Sequence, residues 1–388
     1  MTITDVSVRA RPLAVASVAV GTFAIVTSEM LPVGLLTSIA ADLGVSAGTA
    51  GLTMSAPGLV AAVAAPALAV TARRLDRRTI LLALMAVLAA ANLAAALAPN
   101  HPVMLAARVL TGVSIGGFWA FAAGLGERLV PARHVGRATS IILGGVSVAS
   151  VLGVPAATFV SSYAGWRSAF AAAGVLALVL VGVLAATLPP LRPAPGDAPA
   201  RTAEKRSTWL SGPLKVILLL TALTVSGHFA AYTYVRPFLE EVSHAGPVLV
   251  GTALLLYGAA GVAGNFAAGA RAARSPRATL VVLAALMALA TTLLPLTGPP
   301  LVLLLVWGLG YGGIGVTLQL WIMRTGGGEL GTALFVGVFN VSIALGAFAG
   351  GRIADGVSVS AVMGVAAGLA ALSAAVAGIA GRSRTSGS

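Results

Sequence analysis

Apolar residues run along this chain in long unbroken stretches rather than in narrow stripes or alternations. Crossing the hydrocarbon of a bilayer takes about 20 mostly apolar residues in a helix. Twelve stretches meet that length: 13–40, 47–72, 79–99, 102–126, 138–162, 166–189, 213–239, 247–270, 277–297, 299–322, 328–351 and 358–380. All predict helices. A membrane barrel strand would be shorter and would alternate apolar with polar residues, and no such alternation is present.

Composition agrees with this pattern. Of 388 residues only 9% are charged, and the mean hydropathy is +0.98, against about 25% charged in a soluble domain. Too few polar residues exist to cover a soluble protein of this size, so the chain reads as a polytopic membrane protein. The absence of cysteine excludes a disulfide framework and thiolate metal sites. A formal charge of +13 would suggest nucleic acid in a soluble protein. Here the basic residues lie between the apolar runs, where they set orientation instead. Arg9 and Arg11 precede the first run, but that run continues well past the length of a signal-peptide core.

With both termini in the cytoplasm, 20 of the 24 Lys and Arg residues fall on the cytoplasmic side. Arg167, Arg236 and Arg352 fall outside, and Arg108 lies within a span. An asymmetry of that size fits an even count of spans. The stretch "PPLRPAPGDAPARTAEKRS" is rich in Pro, Ala and charge and reads as a linker. It predicts an N-terminal six-helix bundle over 1–189, a cytoplasmic linker over 190–212 and a C-terminal six-helix bundle over 213–388. Short stretches of the halves look alike at an offset near half the chain length: "VSVASVLG" with "VSIALGAFAG", and "RRTILLALMAVLAA" with "PRATLVVLAALMALA". Internal duplication is recurrent in transporters.

Three ionisable residues lie well inside predicted spans: Glu29, Arg108 and His228. Such residues are costly in lipid and normally face a cavity or a partner. Glu29 has no basic neighbour in sequence, and its carboxyl can carry a proton; a purely structural acid is the alternative. Pro32 lacks the N–H that would bond the carbonyl of Ser28, so a free acceptor and a kink are expected there. Arg108 either snorkels to the interface or is a buried cation that answers a protonation change. His228 is either a candidate proton or substrate ligand or a histidine held by one hydrogen bond, and Tyr232 shares its helix face. Gln319 and Asn340, like Asn265, carry amides within apolar helices, where they bond between helices or line a cavity. Trp119 and Trp321 are candidate cavity walls, with plain packing as the alternative.

Glycine motifs read as packing. "GLGYGG" at 308–313 fits G-x-G-x-x-G but sits in an apolar helix without a βαβ unit. Gly112 with Gly116, and Gly346 with Gly350, allow close helix approach. No phosphate-binding G-x-x-x-x-G-K-[ST], H-E-x-x-H or G-x-S-x-G occurs, which argues against an ATP-driven pump or a membrane hydrolase and for a protein that is not an enzyme.

Several stretches resemble the major facilitator superfamily, in particular its drug:proton antiporter branch, among bacterial efflux proteins of the arabinose, purine-ribonucleoside and chloramphenicol-resistance type. They are "TSEMLPVGLL" in the first helix, "ARVLTGVSIGGFWA" in the fourth, "GRATSIILGGVSVASVLGVPAATFVSSYAGWRSAF" across the fifth, and "GHFAAYTYVRPF" in the seventh. Two departures stand out. The loop between the second and third helices reads "AVTARRLDRR", with Arg73 where the family has an aspartate and Asp76 where it has a later glycine. Asp76 then suits a cap on the third helix. The fifth helix reads Gly153-Val154-Pro155 rather than Gly-Pro.

The resemblance implies an all-α fold of twelve transmembrane helices in two pseudo-symmetric six-helix bundles, working by alternating access. It implies proton-coupled efflux of a small organic molecule, with Glu29, Arg108 and His228 in coupling. Trp119, His228, Tyr232, Gln319 and Asn340 are expected at the substrate. Arg74, Asp76, Arg77, Gly153 and Pro155 are expected in gating. The expected partners are substrate, protons and the lipid bilayer, with no nucleic acid, no metal and no cofactor beyond the proton gradient, in a monomer of the cell membrane. An uncoupled facilitator or proton symporter of the same fold is the alternative. A channel or receptor is the alternative from another class, but no filter of repeated polar residues and no sizeable soluble segment is visible.

Overall fold

The computed structural model describes residues 11–72, 75–122, 125–191, 212–296, 300–326 and 328–379, the side chains of 328–330 excepted. Twelve helices are long and apolar enough to cross a membrane: α1 Pro12–Leu43, α2 Ala47–Thr71, α3 Arg77–Ala96, α4 His101–Ala122, α5 Ala132–Ala164, α6 Trp166–Thr187, α7 Gly212–Tyr232, α8 Pro247–Ala272, α9 Pro276–Leu293, α10 Pro300–Arg324, α11 Gly331–Gly356 and α12 Val359–Ile379. No strand occurs among the described residues. The predicted spans match these one for one, with ends shifted by a few residues.

Local chemistry sets the ends. Gly44 takes the left-handed conformation, φ 63°, that closes α1. Ser46 caps α2 by accepting from the Thr49 N–H at 3.1 Å. Proline opens α8 and α9, where a missing N–H costs nothing.

Three helices are interrupted. In α5 a π-turn over Ala149–Gly153 precedes Val154–Ala164. Pro155 has no N–H for the carbonyl of Val151, so the ladder widens by one residue there. In α7 the helix stops at Tyr232, turns at Thr233 and Tyr234, and continues as Val235–Glu241. The predicted span over 213–239 ran through that break. Helix α10 divides into Pro300–Gly312 and Ile314–Arg324 at Gly313.

Packing repeats between the two halves of the chain. In the first half α2 packs on α4, α3 on α6, and α1 on α5 and α6; in the second α8 packs on α10, α9 on α12, and α7 on α11 and α12. Glycines make the same contacts in both sets. Gly112 and Gly116 press on the α2 backbone at Pro57 and Ala61, as Gly308 and Gly312 press on α8 at Tyr257 and Gly261. Gly145 and Gly153 meet α1 at Ala19 and Thr27, as Gly346 and Gly350 meet α7 at Ser226 and Ala230. The G-x-G-x-x-G stretch is therefore a helix-packing surface, as expected.

Contacts between the halves run along α2 with α11, α5 with α8, and α1 with the α7 extension. Many lie at the end carrying the α1–α2 and α11–α12 connections. There the Asp355 carboxylate accepts from the Ser46 hydroxyl at 2.6 Å and the Gly48 N–H at 2.8 Å, so α11 helps cap α2 of the other half. Gly48 lies against Gly351, and Gly51 leaves room for the Tyr234 hydroxyl, which donates to the Ala347 carbonyl at 2.9 Å. The Arg236 guanidinium donates to the Gly34 carbonyl of α1.

Candidate functional site

Prolines inside α1 and α2 create the polar centre of the first half. Pro32 frees the carbonyl of Ser28, and Pro57 frees that of Thr53. A bare carbonyl in hydrocarbon is costly. Arg108 of α4, fully buried, answers both. Its guanidinium donates to Ser28 O at 2.8 Å, to Glu29 O at 2.9 Å and, through Nε, to Thr53 O at 2.9 Å. Snorkelling is ruled out by that burial.

The Glu29 side chain is arranged differently. It is 8% exposed, and among the described residues no hydrogen bond or ion pair engages its carboxyl. Arg108 grips the Glu29 backbone instead. Beside it, Asn92 of α3 donates to the Ser28 hydroxyl at 3.0 Å and keeps a buried, unpartnered Oδ1. Asn92 went unnoticed in the sequence because one amide in an Ala/Leu helix has no distinguishing neighbour.

The second half carries a cluster of rings. His228 and Tyr232 of α7 meet Tyr257 of α8 and Trp307 and Tyr311 of α10. His228 lies nearly parallel to Tyr311 at 3.3 Å between ring centres and to Tyr232 at 5.0 Å. The Tyr257 hydroxyl and His228 Nε2 are 3.4 Å apart. His228 Nδ1 and Trp307 Nε1 are buried without partners among the described residues. Tyr257, Trp307 and Tyr311 were missed in the sequence. Their scarcity was the available signal, since the chain has only five Tyr and five Trp.

The other expected substrate residues do not join this cluster through any direct contact. Gln319 donates to the Thr332 hydroxyl at 2.9 Å, bridging α10 and α11. Asn340 donates to Val336 O of its own helix at 2.9 Å. Trp119 packs edge-on against Phe118, beside an apolar cluster of the first half.

Of the expected gating residues, Asp76 caps α3, accepting from the Arg78 N–H at 2.8 Å and also from the Leu191 N–H at 2.9 Å. That ties the α2–α3 connection to the end of α6. Arg77 opens α3. Arg74 lies outside the described residues. Gly153 and Pro155 form the π-turn and its exit, with Gly153 against the Thr27 side chain of α1.

Among the described residues, twelve helices of membrane-spanning length, some of them broken, around a buried acid are the architecture of a secondary transporter. The chain belongs to the Major Facilitator Superfamily, whose family model matches residues 18–336. It is 38% identical over 353 residues to a transcription regulatory protein, OpdE, of Pseudomonas aeruginosa, covering 88% of this chain and 87% of that one. It is 32% identical to the inner membrane transport protein YdhP of Escherichia coli, covering 92% and 93%. It is 31% identical to the purine ribonucleoside efflux pump NepI of Salmonella paratyphi B, covering 94% and 92%. The protein is thus a multi-pass membrane transporter of this superfamily rather than an enzyme.

Proposed function

We propose that this transporter exports a small organic molecule from the cell in exchange for protons. Both termini are cytoplasmic in this reading, as the distribution of Lys and Arg favours. The two halves rock about a site between Glu29 and the ring cluster. Glu29 takes up a proton when the site faces outward and releases it when the site faces inward. Arg108 holds the kinked backbone that positions the acid, and its fixed charge favours the ionised form. His228 and Tyr232 contact substrate directly. Gln319 and Asn340 hydrogen-bond the substrate with them, and Trp119 packs on it. Asp76, Arg77, Arg74, Gly153 and Pro155 work in the rocking motion.

The observation that carries this reading is the unpaired carboxyl of Glu29 beside a neighbouring arginine whose donors are engaged by carbonyls. An acid locked in an ion pair could not exchange its proton readily, whereas this one can. The names of the relatives, which include an efflux pump and an inner membrane transport protein, agree with export. The experiment is transport by purified protein in vesicles under an imposed pH gradient. The gradient should drive accumulation with the parent and not with Glu29→Gln.

A further inference from the structure

We infer that the ring cluster of the second half is a slot for a flat, uncharged, nitrogen-bearing aromatic ring, which rests on the exporter reading above for its place in the transport path. The rings come from three helices and lie close to parallel. His228 is tilted by 7° to Tyr311, by 21° to Tyr232 and by 15° to Tyr257. Trp307 stands across them, at 72° to His228 and 77° to Tyr257, and closes one end.

This geometry selects by shape. A box of ring faces around a void suits a quaternary ammonium group. Parallel plates with an end wall suit another plate. A substrate ring entering the stack replaces one ring–ring contact by another, so stacking alone gains little. The gain comes at the edges. His228 Nδ1 and the Trp307 N–H are buried without partners among the described residues, and both point to a ligand whose ring edge carries hydrogen-bonding nitrogen or oxygen. An unsatisfied buried donor is costly, so a molecule lacking those groups is rejected. No ring of the cluster carries a fixed charge.

The helices break where such a slot needs them to. Helix α7 stops at Tyr232, and α10 is interrupted at Gly313, two residues past Tyr311. Discontinuous helices in transporters commonly form the binding site. The breaks beside Tyr232 and Tyr311 let those two rings swing without bending a continuous helix. Tyr311 is partly exposed while His228 is 1% and Trp307 0% exposed. Tyr311 is therefore the plate that moves.

Binding to purified parent protein in detergent tests this, with inosine, theophylline and lumichrome as flat probes and D-ribose and tetraethylammonium as contrasts. At least one flat probe should bind at least about tenfold more tightly than either contrast. Tyr311→Leu should weaken it about tenfold or more, and Trp307→Phe, which keeps a ring and loses the N–H, several-fold. Thermal unfolding of each variant checks that it is folded, and either variant suffices alone. Failure of all three flat probes to bind, equal binding of ribose or tetraethylammonium, or unchanged affinity in the folded variants overturns the slot. Binding is read without a gradient. A slot that binds as expected while Glu29→Gln still pumps would sink the proton-coupling reading alone.

Discussion

The guanidinium of Arg108 donates to the carbonyl of Ser28 at 2.8 Å, the carbonyl that Pro32 leaves without a helical partner. The same side chain takes the Thr53 carbonyl freed by Pro57. Two prolines on two helices thus converge on one arginine from a third. Replacing the arginine strands the two buried acceptors that the prolines free, at about 1–3 kcal/mol each by the usual cost of an unmade hydrogen bond. Arg108→Met is expected to lose several kcal/mol of stability, and Arg108→Lys an intermediate amount because an ammonium lacks the planar fork. Thermal unfolding in detergent checks both. Equal melting temperatures for Arg108→Met and parent would contradict this role.

Glycine contacts predict a contrast between two positions. A Cβ on Gly312 would run into the Gly261 backbone, while one on Gly144 meets open space. Gly312→Ala should cost about 1–3 kcal/mol or more through overpacking, and Gly144→Ala should change stability by at most about 0.5 kcal/mol. The two melting curves side by side decide it.

Asp76 holds two N–H groups, one on α3 and one at Leu191. Asp76→Ala should cost about 1 kcal/mol for the cap alone, and Asp76→Asn should recover most of that. Full stability in Asp76→Ala would show that the cap contributes nothing.

At the α1–α2 end, Ser46 and Asp355 meet across the halves. The chain contains no cysteine, so a pair introduced there reports cleanly. Ser46→Cys with Asp355→Cys should crosslink under oxidation, block transport and recover it on reduction. A crosslinked protein that still transports would show that this end need not open.

The twelve spans followed from run length alone, because a bilayer demands about the same length of every helix. The breaks were harder to see. Pro155 was visible, but its π-turn, the stop after Tyr232 and the turn at Gly313 depend on how the helices pack. Glu29, Arg108 and the freed Ser28 carbonyl were each visible in the sequence. Their connection was not, since sequence places Arg108 on α4 without saying which way it points. The ring cluster shows the same limit. His228 and Tyr232 share a helix face, but Tyr257, Trp307 and Tyr311 join them only through the contacts of α7, α8 and α10. Gln319 and Asn340 illustrate the converse: polar residues in apolar helices whose bonds run to a neighbouring helix at Thr332 and within the same helix at Val336.

The central claim is that the Glu29 carboxyl carries the proton that drives transport. Proton flux measured in proteoliposomes, on addition of a transported substrate under an imposed pH gradient, addresses it most directly. The parent should move protons with substrate, and Glu29→Gln should bind substrate yet move none. Undiminished substrate-dependent proton flux in Glu29→Gln would contradict the account.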